Sequence, residues 1–144
     1  MKVLKVALPE RNYTDDRVGL KEAFSEADIV TLHCPLTEAT EALVNEDLLD
    51  LVKPSSILIN TARGPLINEA ALATALKQNK LAHAYLDVLS QEPPSNYNPL
   101  LDCPNVTITP HLAWATREAR ERLVREAVEN LKAWKNGVER NVVA

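Results

Sequence analysis

Arg63, Glu92 and His111 are the side chains of this sequence best suited to chemistry, and each comes a few residues after a short apolar run. If those runs are parallel strands of an open sheet, their carboxyl ends lie along the edge where such sheets bind ligands. An arginine, a carboxylate and an imidazole at one edge are suited to a small anionic substrate. The spacing therefore predicts a cleft that handles such a molecule.

Arg63 precedes Gly64-Pro65, a turn signal at the end of one of these runs. A guanidinium offers a rigid fork of donors that matches a carboxylate, or a carboxylate together with an adjacent carbonyl oxygen. The alternative is an arginine that pairs with a nearby acid or caps a carbonyl. Both interpretations stay open from position alone.

His111 follows Pro110, which keeps the chain extended as it leaves the strand. Imidazole titrates near neutral pH, so it can give a proton to an alkoxide or take one from an alcohol. A carboxylate on the other ring nitrogen would fix the tautomer, and Glu92 is the candidate. A structural histidine in a turn is the alternative.

Asp87 lies inside an apolar run, where an unpaired carboxylate is costly to bury. It therefore needs partners, either backbone amides or the amide of a ligand. His33 and His83 carry no such pattern, and we expect both to be structural.

These residues need a scaffold, and the sequence alternates β-rich runs with helical ones. That alternation is typical of βαβ units and a mostly parallel sheet, so the predicted fold class is α/β. The predicted strands cover residues 3–8, 28–33, 56–61, 82–88 and 106–109. Residues 91–104 hold four of the nine prolines and are predicted to form an irregular loop beside the site.

Caps and stop signals predict three helices between and after the strands. They begin after Asn45, Asn68 and Thr116 and cover residues 46–53, 69–78 and 117–136. Gly137 ends the last helix. Its apolar stripe consists of Leu123, Val124, Ala127, Val128, Leu131 and Trp134.

Composition narrows the functional classes. The 144 residues amount to about one domain, and the net charge of -4, without a long basic block, argues against a nucleic-acid or anionic-membrane partner. No targeting or membrane-spanning segment is recognised. Cys34 and Cys103 have neither metal-site nor disulfide spacing, so we expect no metal and a cytoplasmic setting. Three isolated glycines exclude a G-x-G-x-x-G loop within this sequence.

Three motifs, taken in order and spacing, resemble one family. They are Asn60-Thr61-Ala62-Arg63-Gly64, then Leu86-Asp87-Val88 followed by Gln91-Glu92-Pro93-Pro94, and Thr109-Pro110-His111. This pattern resembles the nucleotide-binding domain of the D-isomer-specific 2-hydroxyacid dehydrogenases over about residues 27–136. Residues 112–116 look more like glycerate dehydrogenases and hydroxypyruvate reductases than like phosphoglycerate dehydrogenases.

The resemblance implies a role for each motif residue. Arg63 would bind the carboxylate and carbonyl of the substrate, His111 would be the acid/base, Glu92 its partner, and Asp87 would meet the nicotinamide carboxamide. The other implied contacts to the dinucleotide are Cys34, Pro35, Thr61, Ala62 and the backbone after His111, including Ala113, besides Arg63 and His111 themselves. The implied reaction is hydride transfer between NADH and a 2-oxo acid, with NADP left open as cofactor.

The resemblance also has departures. In the family a first strand with its glycine-rich loop, and before it a substrate domain, precede the segment that matches here, and this sequence holds neither. Residues 1–144 are therefore expected to be the C-terminal part of a dinucleotide-binding domain, a partial Rossmann-like doubly wound sheet that does not turn over alone. Ala7 takes the place of the usual ribose-binding acid. Glu10 is a substitute if the turn is remodelled, and Arg11 beside it keeps NADP open.

The implied strand order places the missing first strand between residues 28–33 and residues 56–61, which leaves an unpaired gap between them, and an open strand edge recruits other strands. Either residues 1–8 move into that gap or a second copy of the chain completes the sheet, so we expect a homodimer or a complementary segment. A non-enzymatic interaction module of the corepressor type is the alternative function, because one fold hosts several functions.

Overall fold

The computed structural model describes residues 1–142 and contains a four-stranded, all-parallel sheet. The strands are β1 (Ile29–Leu32), β2 (Ile57–Asn60), β3 (His83–Leu86) and β4 (Val106–Ile108), hydrogen-bonded in that order. The helices are α1 (Leu20–Glu26), α2 (Glu46–Leu49), α3 (Glu69–Lys77) and α4 (Arg117–Lys135), with a single 3₁₀ turn at Gly64–Leu66. The α/β prediction with a parallel sheet is confirmed.

The two faces of the sheet differ in burial. Leu58, Ala84 and Leu86 point to one face and are buried in a cluster that includes Phe24 of α1 and Leu72 of α3. On the opposite face the β1–β3 register aligns Ile29 with Ile57 and His83, and Thr31 with Ile59 and Tyr85, and Ile29 is 54% exposed. The helices α1–α3 therefore share one core with the first face.

The predicted helix caps are present. Asn45 accepts a hydrogen bond from the Leu48 amide at 3.2 Å, and Asn68 accepts one from the Ala71 amide at 3.0 Å. Thr116 caps α4 in the same way. The prediction for α2 was too long, because a regular helix ends at Leu49 and a turn carries the chain toward Pro54.

The predicted strand at residues 3–8 is wrong. Only Val6 forms a bridge, to Val18, and the Lys5 carbonyl and Ala7 amide bond to Val18 at 3.0 Å. β1 pairs directly with β2, so the gap expected between residues 28–33 and residues 56–61 is not there, and residues 1–8 do not join the sheet. Both of these expectations are therefore wrong. The sequence analysis missed α1, whose Gly19 cap has no side chain to signal a start.

The chain divides into two compact units. The first, Met1–His111, contains the sheet and α1–α3, and the second begins at Leu112 and contains α4. No residue of α4 is buried, and Leu123 and Leu131 of its apolar stripe are well exposed. Among residues 1–142, no helix has both the length and the apolar character needed to cross a membrane.

Candidate active site

Asn60 shapes the turn that presents Arg63. It is the last residue of β2 and fully buried, its side-chain oxygen accepts the Ala62 amide at 3.0 Å, and its Nδ2 donates to the Arg63 carbonyl at 2.9 Å. Asparagine is suited to turns of this kind because its side chain imitates a backbone group. The Arg63 guanidinium is exposed and donates to the Ala62 carbonyl at 2.7 Å. Throughout residues 1–142 no carboxylate forms an ion pair with it, which leaves most of its donors open to a ligand.

Gly64 locks this turn against the loop that follows β3. A Cβ atom built on Gly64 would lie 2.0 Å from the Leu89 carbonyl carbon and 2.4 Å from the Ser90 nitrogen. Contacts that short exclude any side chain at position 64. At Gly64 the Arg63 turn therefore packs directly against the backbone of the loop that carries Glu92.

Glu92 and His111 form the central pair of the site. The Glu92 Oε2 atom lies 2.8 Å from His111 Nδ1, and its Oε1 atom accepts the Leu89 amide at 3.0 Å. The bond with His111, then that with the Leu89 amide, lowers the pKa of Glu92 below its ordinary value. The carboxylate thus remains ionised at neutral pH and can only accept hydrogen bonds.

An ionised Glu92 fixes the tautomer of His111. Since the carboxylate has no proton to donate, Nδ1 must carry the hydrogen. The second ring nitrogen, Nε2, makes no hydrogen bond to any residue of the described chain, and the side chain is 44% exposed. Nε2 is therefore the atom free to give or take a proton.

The backbone at His111, just beyond the end of β4, adopts an uncommon conformation. Its φ is +54°, a region that non-glycine residues seldom occupy. The His111 amide donates to the Asp87 carbonyl at 2.9 Å, and the Thr109 hydroxyl donates to the Asp87 carboxylate. Asp87 is buried, and one partner of its carboxylate is the Thr109 hydroxyl, a side-chain donor that the sequence analysis did not name.

A cleft opens at the carboxyl ends of β1 and β2. Its volume is about 570 Å³, and its lining residues are His33, Cys34, Pro35, Leu36, Thr61, Ala62 and Arg63. Five of the eight residues that the resemblance assigned to the dinucleotide line this cleft, namely Cys34, Pro35, Thr61, Ala62 and Arg63. Asp87 and His111 lie at the ends of β3 and β4, while Ala113 belongs to the second unit.

Two features of the cleft suit a dinucleotide. It lies at the strand ends, where such sheets bind nucleotides, and it combines small side chains with the free donors of Arg63. Burial raises the pKa of the Cys34 thiol. Cys34 therefore lines the cleft as an uncharged thiol and not as a reactive thiolate. In the described part of the chain no three His, Cys, Asp or Glu side chains cluster closely enough to hold a metal ion.

The sequence analysis missed the supporting residues. Asn60 and Thr109 were quoted within motifs without a role, and Glu69, which contacts the loop after β3, was seen only as the start of a helix. An asparagine that ends a strand just before a turn was the usable signal for Asn60. The contacts of Thr109 and Glu69 join residues more than 20 positions apart, which local pattern does not reveal.

Comparisons with known proteins agree with this geometry. Among sequences, the chain is 44% identical over 131 residues to the glycerate dehydrogenase of Methylorubrum extorquens, covering 90% of this chain and 42% of that protein. It is 46% identical over 126 residues to the hydroxypyruvate reductase of Blautia hydrogenotrophica, covering 88% and 39%. The chain thus spans about two fifths of the length of these curated relatives.

Two solved structures that resemble this chain are also those of a reductase and a dehydrogenase. An acyclic imino acid reductase in complex with NADPH and D-Arg matches with a TM-score of 0.87 and 39% identity, over 100% of this chain and 46% of that one. D-lactate dehydrogenase with NAD⁺ from Lactobacillus jensenii matches with a TM-score of 0.81 and 29% identity, over 96% and 47%. All four proteins are described as dehydrogenases or reductases, and none supports the corepressor alternative.

A match to a family model covers both the residues of the cleft and the Glu92–His111 pair. The model of the NAD binding domain of D-isomer specific 2-hydroxyacid dehydrogenases matches residues 2–113, which include every element of the first unit. This chain therefore belongs to the D-isomer specific 2-hydroxyacid dehydrogenase family and carries its NAD-binding domain.

Proposed function

We propose that this chain supplies the nucleotide site and the acid/base pair of an NAD(P)-dependent dehydrogenase that interconverts a small 2-hydroxy acid and its 2-oxo acid. The observation that supports it most directly is the 2.8 Å contact between Glu92 and His111 Nδ1, which leaves Nε2 free. An acid/base on one ring nitrogen with an orienting carboxylate on the other is the arrangement that alcohol and carbonyl chemistry requires.

The cleft at the ends of β1 and β2 would hold the dinucleotide through Cys34, Pro35, Thr61 and Ala62. A nicotinamide cofactor supplies a hydride to a carbonyl carbon or accepts one from an alcohol carbon. Asp87 lies at the end of β3, next to the strand that carries Thr61, where its carboxylate would accept a hydrogen bond from the nicotinamide amide.

Arg63 would bind the carboxylate of the substrate and polarise the adjacent carbonyl oxygen. Its guanidinium has donors to spare beyond the one used on the Ala62 carbonyl. In the direction of reduction, His111 Nε2 would protonate the oxygen as negative charge develops there. Glu92 would stabilise the protonated ring before that step and hold the neutral ring in its Nδ1–H tautomer afterwards.

Hydroxypyruvate and glyoxylate are the 2-oxo acids we propose first. The relatives are named as a glycerate dehydrogenase and a hydroxypyruvate reductase. The sequence of residues 112–116 resembles the same two kinds of enzyme. The nucleotide is NADH or NADPH, and Arg11 keeps a 2'-phosphate open for the reason given in the sequence analysis.

Binding and turnover are tested in two steps. NADH and NADPH are titrated into the isolated chain by calorimetry, and hydroxypyruvate and glyoxylate reduction is then assayed. We expect nucleotide binding without turnover, since two fifths of the length of the relatives is present. Turnover at ordinary rates would show that the chain is complete by itself.

A chimera supplies the rest of the enzyme. The matching segment of the Methylorubrum extorquens glycerate dehydrogenase is replaced by this chain, and hydroxypyruvate reduction is measured. We expect activity that His111→Gln abolishes. A correctly folded chimera that binds nucleotide and has no activity would contradict the proposed function.

Assembly and location belong to the same proposal. The outer edge of β1 carries no strand from residues 1–142, and we propose that a second copy or a complementary segment pairs with it. Size exclusion with light scattering tests the first option, and a monomer at high concentration would rule it out. The two cysteines are free, which accords with the cytoplasmic setting we propose.

A further inference from the structure

Glu69, the first residue of α3, bonds to the loop that carries Glu92. One carboxylate oxygen accepts the Ser90 amide at 2.7 Å, and the other accepts the Nδ2 group of Asn98 at 2.8 Å. Asn98 is buried at 9% exposure, and its own oxygen accepts the Leu100 amide at 3.0 Å. A single carboxylate therefore fastens both ends of residues 90–98.

Glu92 lies between those two points. Within residues 1–142 its side chain forms hydrogen bonds to the Leu89 amide and to His111 and to no other group, so both bonds depend on the course of residues 90–98. On the other side, the Gly64 contact places the Arg63 turn against Leu89 and Ser90. The Glu69 carboxylate thus acts on the segment that joins the two halves of the site.

We propose that Glu69, through Asn98, is a positioning residue that holds the Glu92 carboxylate against His111. Its effect on catalysis rests on the proposed function, whereas its effect on the geometry of Glu92 does not. Glu46 gives the contrast within the chain. It is the first residue of α2, follows an asparagine cap just as Glu69 does, and has no hydrogen bond to a loop within residues 1–142.

Exchanging hydrogen-bond donors and acceptors between Glu69 and Asn98 separates this positioning role from a general effect on folding. In Glu69→Gln the new amide faces the Asn98 amide, so two donors meet. In Asn98→Asp two carboxylates meet. The double variant Glu69→Gln/Asn98→Asp restores an amide-to-carboxylate bond, and its two remaining oxygens can still accept the Ser90 and Leu100 amides.

The first measurement is a pH titration of the Glu92 side-chain carboxyl by NMR in the 144-residue chain, with amide spectra to confirm folding. We expect the pKa of Glu92 to rise in Glu69→Gln, to return in the double variant, and to stay unchanged in Glu46→Gln. Removing the charge of Glu69 would by itself lower that pKa, so a rise reports lost positioning. A pKa that does not rise in Glu69→Gln, or that the double variant fails to restore, would overturn the proposal.

The second measurement is hydroxypyruvate reduction by the chimera. We expect kcat to fall about 10- to 100-fold in Glu69→Gln, as misplaced catalytic groups do, and to recover in the double variant while the Kd for NADH stays constant. An inactive parent chimera contradicts the proposed function, and the NMR result then still decides the positioning role. If Asn98→Asp does not fold, Glu69→Gln and the double variant carry both tests.

Discussion

The Glu92 carboxylate meets the His111 imidazole at 2.8 Å across 19 residues of sequence. The contact joins the loop after β3 to the turn after β4, and the second carboxylate oxygen is already bonded to the Leu89 amide. Both oxygens of Glu92 are thus committed as acceptors. The pair defines which nitrogen of His111 is left free to exchange a proton.

The double acceptor role of Glu92 predicts that Glu92→Gln impairs catalysis. Glutamine has one acceptor oxygen, so it cannot serve both the Leu89 amide and Nδ1–H of His111. We expect kcat for hydroxypyruvate reduction by the chimera to fall about 100-fold or more. Glu22→Gln, an exposed change in α1, is the control and should leave the rate unchanged. Equal rates in both variants would contradict the role of Glu92.

The lowered pKa of Glu92 predicts a pH-dependent contribution to stability. Because the folded chain lowers the pKa, the contribution is fully present above the ordinary value of 4.5 and is lost as the pH falls through the folded value. Urea unfolding of the chain and of Glu92→Gln should therefore differ at neutral pH and converge in acid. A difference that persists unchanged at low pH would argue against this linkage.

Gly64→Ala tests the backbone contact between the two turns. The new Cβ would collide with the Leu89 carbonyl group at 2.0 Å, and we expect a loss of at least about 1–3 kcal/mol in the free energy of unfolding. Gly19→Ala is the matched control, since nothing lies within 4 Å of its Cβ. Urea titration measures both, and equal losses would mean that the contact is not tight in solution.

Arg63→Lys tests recognition of the substrate. Lysine keeps the charge but loses the planar fork that matches a carboxylate and its adjacent carbonyl. We expect kcat/KM of the chimera for hydroxypyruvate to fall about 100-fold. Lys21→Arg, on the exposed surface of α1, controls for exchange of the two cations. A variant with unchanged kcat/KM would remove Arg63 from the site.

Cys34 reports on occupancy of the cleft. Burial raises the pKa of its thiol, so alkylation by iodoacetamide should be slow at neutral pH and accelerate only above the ordinary value of 9.0. NADH or NADPH should slow the reaction at Cys34. Cys103, buried in the core, is the internal reference in mass spectrometry. Labelling that ignores saturating nucleotide would place the nucleotide elsewhere.

The strands and the ends they present were predictable because each is a short apolar run followed by polar residues. Four of the five predicted strands formed, and the Glu92–His111 pair was anticipated from the types of residue alone. Residues 3–8 misled the prediction because a short apolar run with one lysine resembles a strand, whereas partners far along the chain decide pairing. In the folded chain the backbone of this segment pairs with Val18 and not with a strand of the sheet.

The supporting contacts were beyond prediction for a physical reason. Glu69 looks like an ordinary first-turn acid, the same in sequence as Glu46, and only the folded chain separates them. The left-handed backbone at His111 likewise depends on the Asp87 carbonyl from a neighbouring strand. Local pattern predicted that Glu92 and His111 lie together, and long-range contacts determine how they are held.

The contact of Gly64 with Leu89 and Ser90 sets the size of the piece that can be transplanted. A graft that moves the turn at Arg63 and Gly64 without the loop that carries Glu92, or that loop without the turn, would combine two backbones that do not pack closely together. Anyone who exchanges substrate preferences between relatives should move both loops together. In recombination libraries, crossovers that separate these two loops should be depleted among the active progeny.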